Sequence, residues 1–358
     1  MQDIITKLKI RCVKAPLAIP HKTAIATLEY APLVLLDIVT KHGLTGKSYV
    51  FVYTDLALAP VASLLKNIES LIVGQAVAPA TINKILQGKF RLLGLQGFVG
   101  IAIAAIDMAV WDCVSLADDK PLVETLGGTR TPQRVYDSLG QMSPDETKLM
   151  VEKSLKNGFR AFKIKAGHPD PQHDLEVIKA IKQVADEDIW LAIDFNQAFN
   201  APEAISRMHL LDQENLAWIE EPVLAEDFIN HAKVRQNIKT PVQTGENWWG
   251  IPDMSKSLAA KASDLAMPDM MKIGGVSGWL EAASLAKHSK TPVSSHLFSE
   301  YSAHLLAVTP TAHMLEWLDI SSSITAAPLE VKDGYVTPHD MPGVGLIWDE
   351  KAISKYEI

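Results

Sequence analysis

The sequence has little cysteine and little charge, and each shortage excludes a class of protein. Only Cys12 and Cys113 occur among 358 residues, which is too few for a disulfide scaffold and fits a reduced, intracellular protein. Charged residues make up 21% of the chain and hydrophobic residues 47%, so the chain has enough apolar surface to fold around a core. The length predicts a globular protein of about two domains.

Basic residues are also scarce, with 34 Lys and Arg against 42 Asp and Glu and a net charge of −8. We therefore expect no nucleic-acid partner, because phosphate recognition needs clustered basic side chains. The start, MQDIITKLKIRCV, lacks an apolar signal core. The most apolar stretch, 92–111, contains Gln96, Asp107 and three glycines, which indicates a buried helix rather than a membrane span. We expect a cytoplasmic protein without a membrane partner.

Residues 1–128 have the pattern of a separate α+β unit. Two apolar segments rich in β-branched residues predict strands, and two later segments predict helices. These are Ile4–Val13 and Pro32–Thr40 for the strands, and Asp55–Gln87 and Gly97–Leu116 for the helices. The segment Pro16–Tyr30 between the first two strands is expected to be a loop. It could be a lid over a site or a plain surface loop.

From 129 to 329 short apolar runs alternate with helical patterns, which indicates parallel strands joined by helices. Eight such strands imply a closed β/α barrel. The predicted strands are Val135–Leu139, Ala161–Ile164, Trp190–Ile193, Trp218–Ile219, Val242–Thr244, Asp264–Met267, Pro292–Ser295 and Ala312–Leu315. The remaining residues, 330–358, are too few for a domain and are expected to pack on the first unit or on the barrel.

Polar side chains end nearly every predicted barrel strand. Barrel enzymes carry their chemistry at the carboxyl ends of the strands, so these side chains are expected to share an active site. From Lys165 onward the ionisable members recur every 20 to 29 residues. The set is Lys163, Lys165, Asp194, Asn196, Glu220, Glu246, Asp269, His296 and Glu316.

Three of these residues, Asp194, Glu220 and Glu246, end consecutive strands. Neighbouring strands lie about 4.8 Å apart, so the three carboxylates would repel one another unless a cation lay between them. Oxygen ligands suit Mg²⁺ or Mn²⁺. The alternative is three separate salt-bridged acids. Glu220 and Glu221 are adjacent and should face opposite ways, and the spacing does not say which enters the barrel.

Two bases are predicted to flank this acidic cluster. Asp269 would orient the ring of His296 on the neighbouring strand, although a purely structural hydrogen bond is the alternative. Lys163 and Lys165 share one strand face, and each positive charge should lower the pKa of the other. Glu316 is placed to donate a hydrogen bond if protonated. Opposed bases suit removal of a proton α to a carboxylate and its return to the other face, or loss of a β-hydroxyl as water.

Several sequence motifs occur together, in order, over essentially the whole chain. They are PLVLLDI (32–38), SYVFVYT (48–54), FKIK (162–165), DFNQ (194–197), WIEEP (218–222), GENW (245–248), LAMPDMMKIGGVSGW (265–279), SSHLFSEYSAHLLAVTPTAH (294–313), LEWLD (315–319) and PGVGLIW (342–348). On these motifs the chain resembles the enolase superfamily, and within it the mandelate racemase subgroup. The resemblance implies a (β/α)₇β TIM-like barrel with an N-terminal α+β capping domain.

The resemblance also implies a cofactor, a partner and a role for each site residue. Mg²⁺ would bind Asp194, Glu220 and Glu246, which selects Glu220 over Glu221. A small carboxylate would be the substrate, in a homo-oligomer. Lys165 would be the base for the S enantiomer and His296, paired with Asp269, the base for the R enantiomer. Lys163 would neutralise the substrate carboxylate, Glu316 would hydrogen-bond the carboxylate of the intermediate, Asn196 would support the metal-bound region, and Ser138 matches a substrate-contacting serine.

The substrate pocket is where the chain departs from the family pattern. Apolar walls suited to an aromatic ring would come from Ile25, Leu28, Tyr53, Leu297 and Leu318. His21 stands at an apolar position of the family. It could favour a polar substrate such as a sugar acid, or it could point to solvent. In the muconate-cycloisomerase branch a lysine near the sixth strand end serves as a base. The lysine near that place in this chain is Lys272, and we expect it to have a supporting role.

These observations favour one reaction and leave one close alternative. We predict a Mg²⁺-dependent racemase or epimerase of a mandelate-like 2-hydroxy acid that acts through an enolate. The alternative is an acid-sugar dehydratase using the same site. A metal-dependent hydrolase of barrel type would show an HxH pair, which this chain lacks. A non-catalytic binding barrel is disfavoured by the full set of bases and acids.

Overall fold

The computed structural model describes residues 3–22 and 27–358. Ile25, one of the residues predicted to line the pocket, lies outside the described residues. Within the described part an antiparallel sheet with its helices precedes a parallel barrel, and the last residues contact both. The predicted class, an α/β barrel with an N-terminal capping unit, is confirmed.

The N-terminal sheet has three antiparallel strands in the order β1, β2, β3. Their bounds are β1 (Ile5–Lys22), β2 (Thr27–Thr40) and β3 (Thr45–Phe51). The loop predicted over Pro16–Tyr30 is wrong in its described part, because β1 and β2 continue through it as a long hairpin. Pro16 pairs with Tyr30 and His21 with Leu28. The register shifts between these two pairs, and this interval contains Pro20, which lacks the N–H that a regular ladder requires.

The helices of the capping unit cover one face of this sheet. They comprise a 3₁₀ helix (Asp55–Ala57), α1 (Leu58–Ile72), α2 (Pro79–Phe90), α3 (Gly97–Ala117) and α4 (Leu122–Thr125). A Cβ at Gly46 of β3 would lie 2.2 Å from the carbonyl oxygen of Ala109, so glycine is what lets α3 approach the sheet. By length and composition α3 could cross a membrane, but 78% of its most apolar window is buried inside the protein.

Parallel strands form the barrel, and from β4 to β9 each pairs with the next along the chain. They are β4 (Gln133–Leu139), β5 (Ala161–Lys165), β6 (Trp190–Asp194), β7 (Ile219–Glu220), β8 (Val242–Thr244), β9 (Leu265–Ala266) and β10 (Leu315–Trp317). The predicted seventh strand is reduced to bridges, in which Val293 pairs with Ala266 on one side and Ala312 on the other. The eighth strand begins three residues later than predicted, and its parallel pairing with β4 closes the ring.

Helices connect the barrel strands and cover them from outside. They are α5 (Pro144–Lys156), α6 (Pro171–Val184), α7 (Ala201–Leu211), α8 (Phe228–Asn237), α9 (Gly250–Ala260), α10 (Met270–Ile273), α11 (Gly275–Ser289) and α12 (Ser299–Ala307). Local sequence sets their starts. Ser143 caps α5 in a reciprocal capping box with Glu146, and Pro144 occupies the first helical turn.

The C-terminal segment contacts both units. After a 3₁₀ helix (Ser322–Ile324), β11 (Val331–Lys332) and β12 (Tyr335–Val336) form a hairpin, and β12 pairs antiparallel with β4. Helix α13 (Glu350–Tyr356) lies against β1, where Arg11 Nη1 is 2.7 Å from Glu350 Oε2. Trp348 Nε1 donates to Asp37 Oδ1 of β2 at 2.6 Å. The segment therefore ties the capping sheet to the barrel.

Candidate active site

Strand register brings the predicted polar side chains together at one end of the barrel. Lys165 of β5 pairs with Asp194 of β6, and Asp194 pairs with Glu220 of β7. His296 forms a parallel bridge with Asp269. All of these side chains are buried. The carboxyl ends of the strands thus form one closed chamber of charged groups.

Asp194, Glu220 and Glu246 form an acidic triad in which one oxygen from each lies within 4.8 Å of the others. Burial raises the pKa of Glu220 well above its usual value, and the charges of Asp194 and Glu246 add to this effect. Glu246 Oε2 is buried, makes no hydrogen bond of good geometry, and has His296 Nε2 at 3.3 Å. Three converging buried carboxylates fit a divalent cation with oxygen ligands.

Asn196 follows Asp194 in a left-handed conformation with φ of 44°. Its backbone N–H donates to Asp194 Oδ1 at 2.7 Å, and its Nδ2 donates to Asp194 Oδ2 at 3.1 Å. This turn holds the Asp194 carboxylate in one orientation. Asn196 therefore orients the carboxylate of Asp194, and its role toward a metal or a substrate stays a prediction.

Lys163 is completely buried among acids. Its Nζ lies 2.8 Å from Glu220 Oε1 and 2.7 Å from Glu316 Oε1. Burial acts to lower the pKa of Lys163, but the charges of Glu220 and Glu316 outweigh it and raise the pKa well above its usual value. Lys163 is therefore a fixed cation at the base of the chamber.

Lys165 lies beside the triad, with its Nζ in contact with Asp194 Oδ2. Burial and the positive charge of Lys163 act to lower the pKa of Lys165, but the charge of Asp194 raises it, and the net shift is upward. The expected lowering by Lys163 is present, but the charge of Asp194 outweighs it. Sequence spacing revealed the neighbouring lysine but not the closer carboxylate.

His296 lies at the other end of the triad. Its Nδ1 is 2.6 Å from Asp269 Oδ2, and its Nε2 approaches Glu246 Oε2 to 3.3 Å. Burial acts to lower the pKa of His296, but the charges of Glu246 and Glu316 and the contact with Asp269 raise it. The triad therefore has Lys165 against Asp194 at one end and His296 against Glu246 at the other.

Glu316 accepts hydrogen bonds in this structure. Lys163 Nζ lies 2.7 Å from its Oε1, and the backbone N–H of Leu297 donates to its Oε2 at 3.1 Å. Burial acts to raise the pKa of Glu316, but the charges of Lys163 and His296 hold it well below its usual range. Glu316 is therefore ionised here, and it must take up a proton before it can act as a donor.

The predicted pocket residues lie around this chamber. Ser138 of β4 is buried and pairs in register with Lys163, while Leu297 is buried above Glu316. Leu28 and Leu318 are half-buried, and Tyr53, with φ of 59°, is 41% exposed. A cavity of about 230 Å³ adjoins Ser138, Leu318 and the residues of the β1–β2 hairpin.

His21 is buried in the hairpin and does not point to solvent. Burial, with the positive charges of Lys165 and Lys163, lowers the pKa of His21 to about 4. The ring is therefore uncharged at neutral pH. A cationic contact between His21 and a substrate is therefore excluded at neutral pH, whereas an uncharged hydrogen-bonding ring is consistent with its position.

Sequence reasoning missed a second layer of polar residues. Glu221 does not point away from Glu220, because its φ of 37° ends the strand alternation. Its Oε2 accepts from Gln197 Nε2 at 2.9 Å and from Asn247 Nδ2 at 2.7 Å. Both amides stand in the motifs DFNQ and GENW, but nothing in the spacing showed that they would meet Glu221.

A closed parallel barrel whose strand ends hold an acidic triad between a lysine and an Asp–His pair defines a metal-dependent enzyme of the enolase superfamily. The chain belongs to the mandelate racemase/muconate lactonizing enzyme family. Residues 5–127 match the N-terminal domain of that family, and residues 146–352 match the family described as enolase C-terminal domain-like.

Solved structures and curated proteins show the same relationship. An enolase from Bradyrhizobium, complexed with magnesium and mandelic acid, is 43% identical, with a TM-score of 0.97 over 100% of this chain and 99% of the other. An enolase from the alpha proteobacterium bal199 with bound magnesium is 37% identical, with a TM-score of 0.97 over 99% and 100%. The L-talarate/galactarate dehydratase of Salmonella typhimurium is 29% identical over 98% of this chain and 90% of its own.

The chain is therefore similar to relatives of several reaction types. Besides the dehydratase, the curated relatives include a cycloisomerase and an epimerase. The common element is an enolase-superfamily enzyme with a carboxylate metal site, and the particular reaction of this chain has to be argued from its own residues.

Proposed function

We propose that this protein is a Mg²⁺-dependent racemase or epimerase that removes the proton α to the carboxylate of a mandelate-like 2-hydroxy acid. One observation carries the proposal. Lys165 contacts Asp194 at one end of the acidic triad, and His296 approaches Glu246 at the other. A substrate bound at the triad would have a base on each side of its α-carbon, as inversion at one carbon requires.

Asp194, Glu220 and Glu246 would hold Mg²⁺, with Mn²⁺ as a substitute. When bound there, the cation supplies several kcal/mol of stabilisation for the negative charge that develops on the substrate carboxylate. The burial of all three carboxylates, with one oxygen of each within 4.8 Å of the others, supports such a ligand set.

The proton follows a path set by the two bases. The charge of Asp194 raises the pKa of Lys165, and a cation held by Asp194 would offset that charge and leave Lys165 able to act as the neutral amine. From the S enantiomer, Lys165 Nζ would take the α-proton, and the electron pair of the C–H bond would move into the carboxylate to form an enolate. His296 Nε2 then donates its proton to the opposite face, which gives the R enantiomer, and the reverse reaction exchanges the roles. Asp269 accepts from Nδ1 and so leaves Nε2 for the substrate. Lys163, Glu316 and Ser138 would contact the substrate carboxylate.

The pocket residues support an aryl substrate. Leu297 adjoins Glu316, Leu318 and His21 line the cavity beside Ser138, and Leu28 pairs with His21 across the hairpin. His21 carries no charge at neutral pH because burial and Lys165 lower its pKa to about 4. A relative that is 43% identical over the whole chain was crystallised with mandelic acid. An aromatic ring fits such a wall better than a polyhydroxylated chain does.

An acid-sugar dehydratase is the second candidate. It is favoured by the 29% identity to an L-talarate/galactarate dehydratase and by the imidazole of His21, which can hydrogen-bond a hydroxyl even when uncharged. The same bases would remove the α-proton, and a β-hydroxyl would leave as water. A cytoplasmic location and a homo-oligomeric assembly remain predictions.

Proton exchange in D₂O separates the two candidates. Purified protein with Mg²⁺ is mixed with each enantiomer of mandelate and then with a panel of acid sugars, and ¹H NMR follows the α-proton. Loss of the α-proton signal of mandelate together with racemisation supports the proposal. No exchange with mandelate but water loss from an acid sugar would replace it with the dehydratase.

A further inference from the structure

Lys272 is a buried lysine whose ammonium contacts an amide oxygen and an aromatic ring, with the carboxylate of Glu221 close enough to feel its charge. It lies in α10, three residues after Asp269, and is 8% exposed. Its Nζ donates to Asn247 Oδ1 at 2.6 Å and lies 4.8 Å from the ring centroid of Tyr53. Burying an ammonium is costly unless it is hydrogen-bonded and paired, so these contacts are what hold Lys272 in place.

Asn247 connects this lysine to the proposed metal site. Its Nδ2 donates to Glu246 Oε1 at 3.1 Å and to Glu221 Oε2 at 2.7 Å. An asparagine amide can be rotated by half a turn, which would exchange its oxygen and its nitrogen. Here that rotation would place the NH₂ group against the ammonium of Lys272 and the oxygen against two carboxylates. Lys272 therefore fixes the amide in the orientation that hydrogen-bonds Glu246.

Tyr53 connects the same lysine to the capping domain. It follows β3, adopts a left-handed φ of 59°, and packs its ring 4.6 Å from that of Phe51. A lysine ammonium above an aromatic face is attracted by the negative charge of that face. The chain of contacts thus runs from the capping domain through Tyr53, Lys272 and Asn247 to Glu246.

We propose that Lys272 is a positioning residue that couples the seating of the capping domain at Tyr53 to the orientation of Glu246. The inference rests on the proposed function, because it takes Glu246 as a Mg²⁺ ligand. It makes Mg²⁺ affinity depend on a side chain that lies outside the metal site and on a ring of the other domain. In this role Lys272 positions Asn247 and transfers no proton.

Isothermal titration with Mg²⁺ tests the role of Lys272 without any turnover. Lys272→Met should weaken Mg²⁺ binding about 10-fold to 100-fold, which is the usual effect of removing a group that orients a metal ligand. Lys272→Arg should recover part of the affinity. Lys256→Met is the matched control, since that lysine is exposed on α9 and pairs with Asp253; its affinity should equal that of the wild type.

A second set of variants tests the coupling to the capping domain. Tyr53→Phe keeps the ring and should bind Mg²⁺ as the wild type does, whereas Tyr53→Leu should weaken binding about two- to fivefold. In the double variant with Lys272→Met, replacing Tyr53 by Leu should cost nothing further, because both act through one contact. Far-ultraviolet circular dichroism checks that each variant is folded.

The outcomes separate this inference from the proposed function. Absence of Mg²⁺ binding by the wild-type protein would contradict both the proposed metal site and the inference about Lys272. Wild-type binding with unchanged affinity in Lys272→Met would overturn the inference alone. Fully additive losses in the double variant would show that Tyr53 acts independently of Lys272, which would contradict the coupling.

Discussion

His296 Nε2 lies 3.3 Å from Glu246 Oε2, while Nδ1 of the same ring lies 2.6 Å from Asp269 Oδ2. The imidazole is therefore fixed between an orienting acid and one end of the acidic triad. Asp269 is itself held by backbone N–H groups of Met271 and Lys272 at the start of α10. The position of the second base thus depends on a helix start as well as on a strand end.

Replacing Asp269 by Asn should impair one direction of the reaction. The variant keeps the shape of the side chain but loses the charge that holds the proton on His296 Nδ1. Exchange of the R enantiomer should fall by about a hundredfold or more, as for loss of a general base. Exchange of the S enantiomer through Lys165 should change much less. Equal losses for both enantiomers, measured by ¹H NMR in D₂O, would count against separate bases.

Mg²⁺ should stabilise the folded protein through the acidic triad. A ligand at 100 times its dissociation constant adds about 2.7 kcal/mol to the free energy of unfolding. Thermal unfolding followed with increasing Mg²⁺ should therefore show a rising midpoint. Glu246→Gln should abolish most of this rise. Glu226→Gln, which removes an exposed acid after β7, should retain it. A full rise in Glu246→Gln would exclude Glu246 as a ligand.

His21→Leu distinguishes the two candidate substrates. Because burial and the nearby lysines lower the pKa of His21 to about 4, the ring has no charge to lose between pH 5 and 8. Exchange of mandelate should stay within about fivefold of the wild type, with an unchanged pH profile, since an apolar side chain can replace an uncharged wall. A much larger loss, shared with an acid sugar, would indicate a hydrogen bond from His21 to substrate.

Asp107 should make stability depend on pH at the contact between α3 and α11. Its carboxylate accepts from Ser277 N at 2.9 Å and from Asn83 Nδ2 at 2.9 Å, yet burial raises its pKa to about 7. The folded state then holds a proton that the unfolded chain releases near pH 4. The free energy of unfolding should therefore fall between about pH 4 and pH 7, by at most ~4 kcal/mol.

In Asp107→Asn, the fall in the free energy of unfolding between pH 4 and pH 7 that is due to Asp107 should disappear. Urea unfolding of both proteins at several pH values between 4 and 7.5, with chelator present, measures the difference. Curves that stay parallel across this range would show that Asp107 has a similar pKa in the folded and unfolded states. Other buried acids, such as Asp112, titrate in both proteins and cancel in the comparison.

Much of the fold could be predicted because its signals are local. Short β-branched runs such as Val242–Thr244 and Ala161–Ile164 are strands in the structure almost as predicted. The shared location of the polar residues at the strand ends then follows from the architecture, since parallel strands place their carboxyl ends at one rim. For this reason Asp194, Glu220 and Glu246 could be placed together before any coordinates were known.

The features of the fold and the site that could not be predicted depend on three-dimensional contacts that residue spacing does not encode. The segments 16–22 and 27–30 looked like a loop because prolines interrupt the strand pattern, but each is held as a strand by pairing with the other. Glu221 turns toward the site through a positive φ at a non-glycine residue, which no sequence signal marks. The pKa of Lys165 depends on the competition between Lys163 and Asp194, and only distances decide it.

The most direct test of the account is α-proton exchange in Lys165→Ala and His296→Asn, each with both enantiomers of mandelate in D₂O and Mg²⁺. The account predicts that Lys165→Ala loses exchange of the S enantiomer by at least about a hundredfold and keeps exchange of the R enantiomer. His296→Asn should show the reverse. Full-rate exchange of the S enantiomer by Lys165→Ala would contradict the assignment of the two bases.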